Sequence, residues 1–222
     1  MKPEAEIRDL LDSGLKSMGL LLNEEARQKL LRFFELLLIQ NKTLNLISPK
    51  QSLPEKVGVH LLDSLSPLLL NRLPSGGRMM DFGSGGGFPG IPLSIVLDYQ
   101  HFDLIEATGK KTRFLSTVLD DLKLSHVSIV NKYLNPNRNE ENIFYDFISA
   151  RAVSALKNIA AIAGPRLSSQ GYFLAFKGPQ ADQELSEARS VLVKFKLNLL
   201  ERLDFNLPLV EVQRSLLLFQ KS

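Results

Sequence analysis

The hydrophobic rhythm of the chain changes once along its length. Up to about residue 75, apolar positions recur three and four apart: Leu10, Leu11 and Leu15, then Leu30, Phe33, Phe34, Leu37 and Leu38, then Val57, Leu61, Leu62 and Leu65. Such spacing gathers each set on one face of a helix, so this segment predicts about three helices. Asn23 ahead of Glu24-Glu25-Ala26 has the form of an N-cap followed by acids in the first turn. Ser52-Leu53-Pro54-Glu55 carries part of a capping-box pattern, with Pro54 where a helix start tolerates proline.

From Arg78 onward, short apolar runs are separated by amphipathic stretches. The pattern predicts strands at 78–82, 102–106, 127–130, 145–149 and 171–176, and helices at 91–97, 110–122, 156–163 and 182–196. Two further strands, at 199–204 and 215–219, have no helix between them. Alternating strands and helices imply right-handed crossovers and a mostly parallel sheet covered on both faces. The closing pair implies an antiparallel ending. The expected organisation is a helical segment over 1–75 packed on an α/β domain over 76–222, with a polar loop at 135–142.

Composition narrows the chemistry. The chain has 222 residues, 44% of them apolar and 23% charged, which is ordinary for a globular protein. Its net charge of +3 is compatible with a nucleic-acid partner without demanding one. The lack of cysteine excludes disulfides, thiolate metal sites and a cysteine nucleophile. His60, His101 and His126 are far apart in sequence, so no metal centre is expected. The opening Met1-Lys2-Pro3-Glu4-Ala5-Glu6 is too polar for a signal peptide, and no apolar run approaches a membrane span. A cytoplasmic protein with no membrane partner is expected.

The most informative segment is Asp81-Phe82-Gly83-Ser84-Gly85-Gly86-Gly87-Phe88-Pro89-Gly90. It joins the first strand to a helix, where open α/β sheets bind ligands. Glycines there permit positive φ and close approach of backbone N–H groups. Two ligands suit it. Gly85, Gly87 and Gly90 satisfy G-x-G-x-x-G, and Glu106 follows at the distance of a ribose-binding acid, as for a dinucleotide. S-adenosylmethionine fits as well: it carries a ribose and a cationic tail but no phosphate. A carboxylate at Asp81, at the mouth of the loop, would repel pyrophosphate and attract a sulfonium, which favours the methyl donor. A Walker loop is excluded, because Gly109-Lys110-Lys111-Thr112 lacks the upstream glycine.

Extended through Ile91-Pro92-Leu93, the glycine segment resembles the motif of the RsmG (GidB) family, bacterial methyltransferases that modify a guanine N7 in small-subunit ribosomal RNA. Asn41-Lys42-Thr43-Leu44-Asn45-Leu46-Ile47, His60-Leu61-Leu62-Asp63-Ser64-Leu65, Gly109-Lys110-Lys111-Thr112-Arg113-Phe114-Leu115, Ser149-Ala150-Arg151-Ala152 and Lys177-Gly178 match in order and spacing. The resemblance implies a class I S-adenosylmethionine-dependent methyltransferase, with a Rossmann-like, mostly parallel seven-stranded sheet and an N-terminal helical extension. It also implies cofactor contacts at Gly83, Phe88, Leu134, Asn135 and Arg151, beside Asp81, Gly85 and Glu106 read from the residues themselves. The family usually has a carboxylate where this chain has Asn135. For Arg151, the residues alone leave two roles open: pairing with Asp146 or Asp81, or binding the cofactor's carboxylate.

Guanine N7 carries a lone pair in neutral RNA, so the implied reaction needs no general base, and none is nominated. Asp63, Glu106 and Asp81 are candidates for tuning the field. Lys110, Lys111 and Arg113 open a helix beside the expected cleft, where cations oppose the helix dipole and an external anion would offset them. With Arg151, Arg166 and Lys177 they form an expected positive rim for RNA phosphates. A net charge of +3 suits a shaped partner, the 30S subunit or an assembly intermediate, better than naked RNA, and no DNA partner is expected. His60 and Asp63 share a helical face, for which a structural role is expected. The rivals are a methyltransferase acting on a small molecule or protein, a dinucleotide oxidoreductase, and an RNA scaffold without catalysis.

Overall fold

The computed structural model describes residues 3–140 and 142–222. Met1 and Lys2 of the polar start, and Glu141 of the expected polar loop, lie outside the described residues. The chain opens with α1 (Pro3–Met18) and α2 (Glu24–Leu44). Asn23 caps α2, its Oδ1 accepting the Ala26 N–H at 2.8 Å. The next helix begins at α3 (Leu53–Lys56), runs into a π-helical turn (Val57–Leu62) and ends with α4 (Asp63–Leu65). The capping box at its start is complete rather than partial: Glu55 Oε2 accepts the Ser52 N–H at 2.6 Å, and Ser52 Oγ accepts the Glu55 N–H. The π turn is invisible in the apolar spacing, which reads as one continuous helix. Gly58 lies within it, and a Cβ there would come 3.0 Å from the Pro208 carbonyl oxygen, so glycine lets the turn approach a distant loop.

The second part follows the predicted alternation. It comprises β1 (Arg78–Phe82), α5 (Gly90–Val96), β2 (His101–Ile105), α6 (Gly109–Leu122), β3 (Val127–Val130), β4 (Tyr145–Arg151), α7 (Leu156–Ala163), β5 (Leu167–Lys177), α8 (Ala181–Lys194), β6 (Leu197–Leu207) and β7 (Val212–Lys221). The seven strands form one sheet in the order β3-β2-β1-β4-β5-β7-β6. β7 is antiparallel to both neighbours and the other pairings are parallel. β5, β6 and β7 are longer than their apolar runs. Exposed polar residues such as Ser169 and Gln170 in β5 and Asn198 in β6 lie within these strands, so hydropathy does not mark their full length.

Period-two alternation sends side chains to both faces of the sheet. Met79, Leu174, Phe176, Leu216 and Leu218 pack with α2, α5 and α6, while Met80, Phe173, Ala175, Leu217 and Phe219 pack with α7 and α8. The N-terminal helices belong to the first of these clusters: Leu11, Leu30, Phe34, Leu37 and Leu61 lie in the same buried set as Phe102, Leu115 and Phe147. The two parts of the chain therefore share one hydrophobic core.

That shared core predicts that the helical segment and the α/β part unfold as one unit. Phe34→Ala, at a fully buried ring, is expected to destabilise the whole chain by about 3–5 kcal/mol. Urea melts followed by far- and near-ultraviolet circular dichroism check this, and the two signals should move together in one transition.

Candidate cofactor and substrate site

The loops after β1, β2, β3 and β4 converge at the carboxyl ends of the strands. After β1, Gly83 (φ 75°), Gly85 (φ 57°) and Gly87 (φ 95°) adopt left-handed conformations that other residues rarely tolerate. The N–H groups of Gly83 and Ser84 both donate to the Ile105 carbonyl, at 2.9 and 3.0 Å, which folds the loop back over β2. A Cβ at Gly83 would stand 2.6 Å from Val153 Cγ2, so this narrow place admits backbone only.

Two carboxylates hold this loop. Asp81 is fully buried beneath it: Oδ1 accepts from Ser149 Oγ at 2.8 Å, and Oδ2 from the Gly90 N–H at 3.2 Å. This corrects the expectation that Asp81 sits at the loop mouth facing a cation. Strand alternation turns its side chain inward under the start of α5, where burial pushes its pKa up to about 6. Glu106, just past β2, is 7% exposed. It accepts the Gly85 N–H at 2.9 Å and the Thr108 N–H at 2.7 Å, and each oxygen keeps a lone pair. From the loop after β3, Asn131 Nδ2 donates to the Glu106 carbonyl at 2.8 Å. Leu134 is buried nearby in sequence, and Asn135 is half-buried with its amide donating to Glu140.

Arg151 ends β4. Its Nη1 donates to the Val59 carbonyl at 2.7 Å and to Asp63 Oδ2 at 2.9 Å, and its guanidinium lies 5.3 Å from the centre of the Phe88 ring. Arg151 hydrogen-bonds neither acid named from the sequence, although its charge acts on Asp81 from nearby. Asp81 is sealed under the loop, and Asp146 bonds the Arg78 N–H at the far end of the strand. Asp63 Oδ1 accepts from Arg214 Nε at 3.2 Å, so one buried carboxylate joins the helical segment, β4 and β7. Arg214, which lies 151 positions from Asp63, gives no signal in the sequence.

His60 packs its ring 5.1 Å from that of Phe88, and its Nε2 lies 3.1 Å from Gln51 Oε1. Burial, with Arg151, Arg214 and Lys56 nearby, lowers its pKa to about 3, so the imidazole is neutral at physiological pH. Asp63, Arg151, Val153, Phe176, Lys177 and Glu184 line a cleft of about 610 Å³ next to this group.

The basic rim is smaller than expected. Lys110 and Arg113 are exposed and Lys111 is half-buried in the first turns of α6. Lys177 is buried instead, its Nζ donating to Ser154 O at 2.9 Å and Glu184 Oε2 at 2.7 Å, so it is not free for a phosphate. Arg166 is also buried, ahead of β5, and donates to the Ile162 and Asn135 carbonyls.

A sheet in this order, with β7 reversed, a glycine loop after β1 and an acid after β2, defines a class I methyltransferase fold. Solved structures agree. A methyltransferase from Pyrococcus furiosus superposes with a TM-score of 0.58 at 14% identity, covering 86% of this chain and 96% of that one. Geranyl diphosphate C-methyltransferase from Streptomyces coelicolor, bound to S-adenosyl-L-homocysteine, gives 0.56 at 13% identity over 81% and 89%. The GidB family description, rRNA small subunit methyltransferase G, matches residues 26–207. Ribosomal RNA small subunit methyltransferase G of Ectopseudomonas mendocina is 36% identical over 211 residues, covering 94% of each chain. The chain belongs to the GidB family. Among the described residues, no helix is long and apolar enough to cross a membrane.

Asp81 generates a pH test. It binds its proton more tightly in the folded chain than in the unfolded one, so its contribution favours folding at acid pH and declines as pH rises from 3.8 to about 6. Asp81→Asn removes this decline. Relative to the parent, the variant should gain on the order of 2–3 kcal/mol between pH 4 and pH 7 in urea melts; parallel curves would contradict the assignment.

Proposed function

We propose that this protein transfers a methyl group from S-adenosylmethionine to N7 of a guanine in small-subunit ribosomal RNA. Membership of the GidB family carries the reading, and the chemistry of the loop supports it. The glycine cradle admits a ligand to bare backbone, and Glu106 offers lone pairs suited to ribose hydroxyls. Gly83, Gly85 and Phe88 would border the cofactor, with Leu134 and Asn135 on its adenine side and Arg151 toward its amino-acid end. Asn135 accepts and donates at an adenine edge, where a carboxylate only accepts. Asp81 supports the site from beneath. Bound there, S-adenosylmethionine supplies an electrophilic methyl group on a sulfonium.

Guanine N7 attacks with its own lone pair as the bond from methyl carbon to sulfur breaks, so no side chain has to remove a proton. The residues bind and align, and orientation of this kind contributes roughly 7–11 kcal/mol in favourable cases. Neutral His60 and the paired Asp63 add no free cation beside a base that becomes positive. The acceptor RNA lies within the 30S subunit or an assembly intermediate, which places the protein in the cytoplasm. Lys110, Lys111 and Arg113 lead its phosphates to the cleft. Lys110 and Arg113 also rim a groove floored by Leu36, Leu44 and Phe114.

Small subunits from a strain lacking its own enzyme of this family, incubated with the protein and labelled S-adenosylmethionine, test the reading. Borohydride reduction and aniline scission should reveal one new 7-methylguanine in the small-subunit RNA. Label absent from RNA, with the donor still bound, would move the substrate to a small molecule or a protein.

Replacing Lys110, Lys111 and Arg113 together by alanine should weaken subunit binding at every salt concentration. It should also flatten the slope of log affinity against log salt by about 2–3. An unchanged slope would remove these residues from the RNA path.

A further inference from the structure

One wall of the cleft holds a hydrogen-bond acceptor that the fold leaves unused. Glu184, in the first turn of α8, lines the cleft beside Phe176 and Lys177. Its Oε2 accepts both the Leu156 N–H at 2.6 Å and Lys177 Nζ at 2.7 Å. Its Oε1 takes no hydrogen bond from the described residues, and the side chain remains 21% exposed. Lys177 is itself fixed by the Ser154 carbonyl, so the carboxylate is held in one orientation by a buried cation. A negative group fastened this way repels phosphate and suits a neutral donor.

We propose that Glu184 reads the Watson–Crick edge of the acceptor guanine, an inference that rests on the methyl-transfer reading above. N7 lies on the imidazole side of the purine, across the fused rings from N1 and the N2 amino group. A guanine offering N7 toward the glycine loop, where Arg151 lies over Phe88, presents N1–H and N2–H toward the wall formed by β5 and α8. Oε1 keeps two lone pairs, enough for both donors. Adenine would instead set its N1 lone pair against the carboxylate. Adenine also has a nucleophilic N7, so alignment to the methyl group alone does not choose between the purines. A single carboxylate on the opposite edge does. A base taken out of its stack exposes this edge for reading.

The test uses the full-length protein and small subunits carrying guanine, adenine or inosine at the methylated position. Glu184→Gln keeps an oxygen for the Leu156 N–H and Lys177 but puts an amide donor in place of the free acceptor. With guanine subunits, kcat/KM should fall roughly tenfold to a hundredfold, the usual cost of a lost hydrogen bond to a charged group. Preference for guanine over adenine should narrow by a similar factor, and affinity for S-adenosylhomocysteine should be unchanged. With the unaltered protein, inosine, which keeps N7 and lacks the N2 amino group, should also be methylated more slowly than guanine. That arm does not depend on the variant folding. Equal losses on guanine and adenine would make Glu184 a structural support and overturn the proposal, as would unimpaired transfer to inosine. No transfer by the unaltered protein to guanine subunits would refute the methyl-transfer reading itself, and this inference with it.

Discussion

A carboxylate buried between two guanidinium groups organises the working end of this molecule. Asp63 comes from the helical segment, Arg151 from the end of β4, and Arg214 from the reversed strand β7. A buried ion of this kind adds little net stability over an apolar core, yet removing one partner costs about 3–5 kcal/mol because the remaining charge is stranded. The arrangement therefore acts on geometry. It fixes the π turn against the sheet, holds Arg151 over Phe88 and sets the near wall of the cleft. Without Asp63, two arginines that approach from different elements would repel each other at the site.

The glycine loop obeys a related constraint. Its residues have no side chains with which to hold their shape, so neighbours impose it. Asp81 and Glu106 both receive loop N–H groups, and the Ile105 carbonyl receives two more. Each bond satisfies a backbone donor that would otherwise be buried unpaired. Preorganisation then comes from below and beside the loop. The raised pKa of Asp81 reflects the energetic cost of placing a carboxylate so deep.

Residue chemistry alone misassigned several charged side chains, for a common reason. Lys177 and Arg166 were expected on the RNA-facing rim because they follow or precede strands near the cleft. Both are buried, since the long stem of a basic side chain lets its charged end reach an internal carbonyl or acid. Asp81 was placed at the loop mouth because the sequence gives its position along the strand but not the direction of its side chain at the strand end. Glu184 gives no signal in the sequence. In the sequence it is one acid among several on a polar helix, and only its packing against Lys177 and Leu156 sets it apart.

What could be read from the sequence is what depends on neighbours along the chain. Hydrophobic period located every strand and most helices, the cap at Asn23 followed from local chemistry, and the glycines of the loop marked the ligand end of the sheet. The motifs around that loop also carried the family. Contacts between residues far apart in the chain were settled only in three dimensions: Asp63 with Arg214, Arg151 with the Val59 carbonyl, and Glu184 with the Leu156 N–H. Periodicity records which face a residue occupies. It carries no information about which distant charge waits on that face, because that depends on how the strands are ordered in the sheet and on the helices that pack against it.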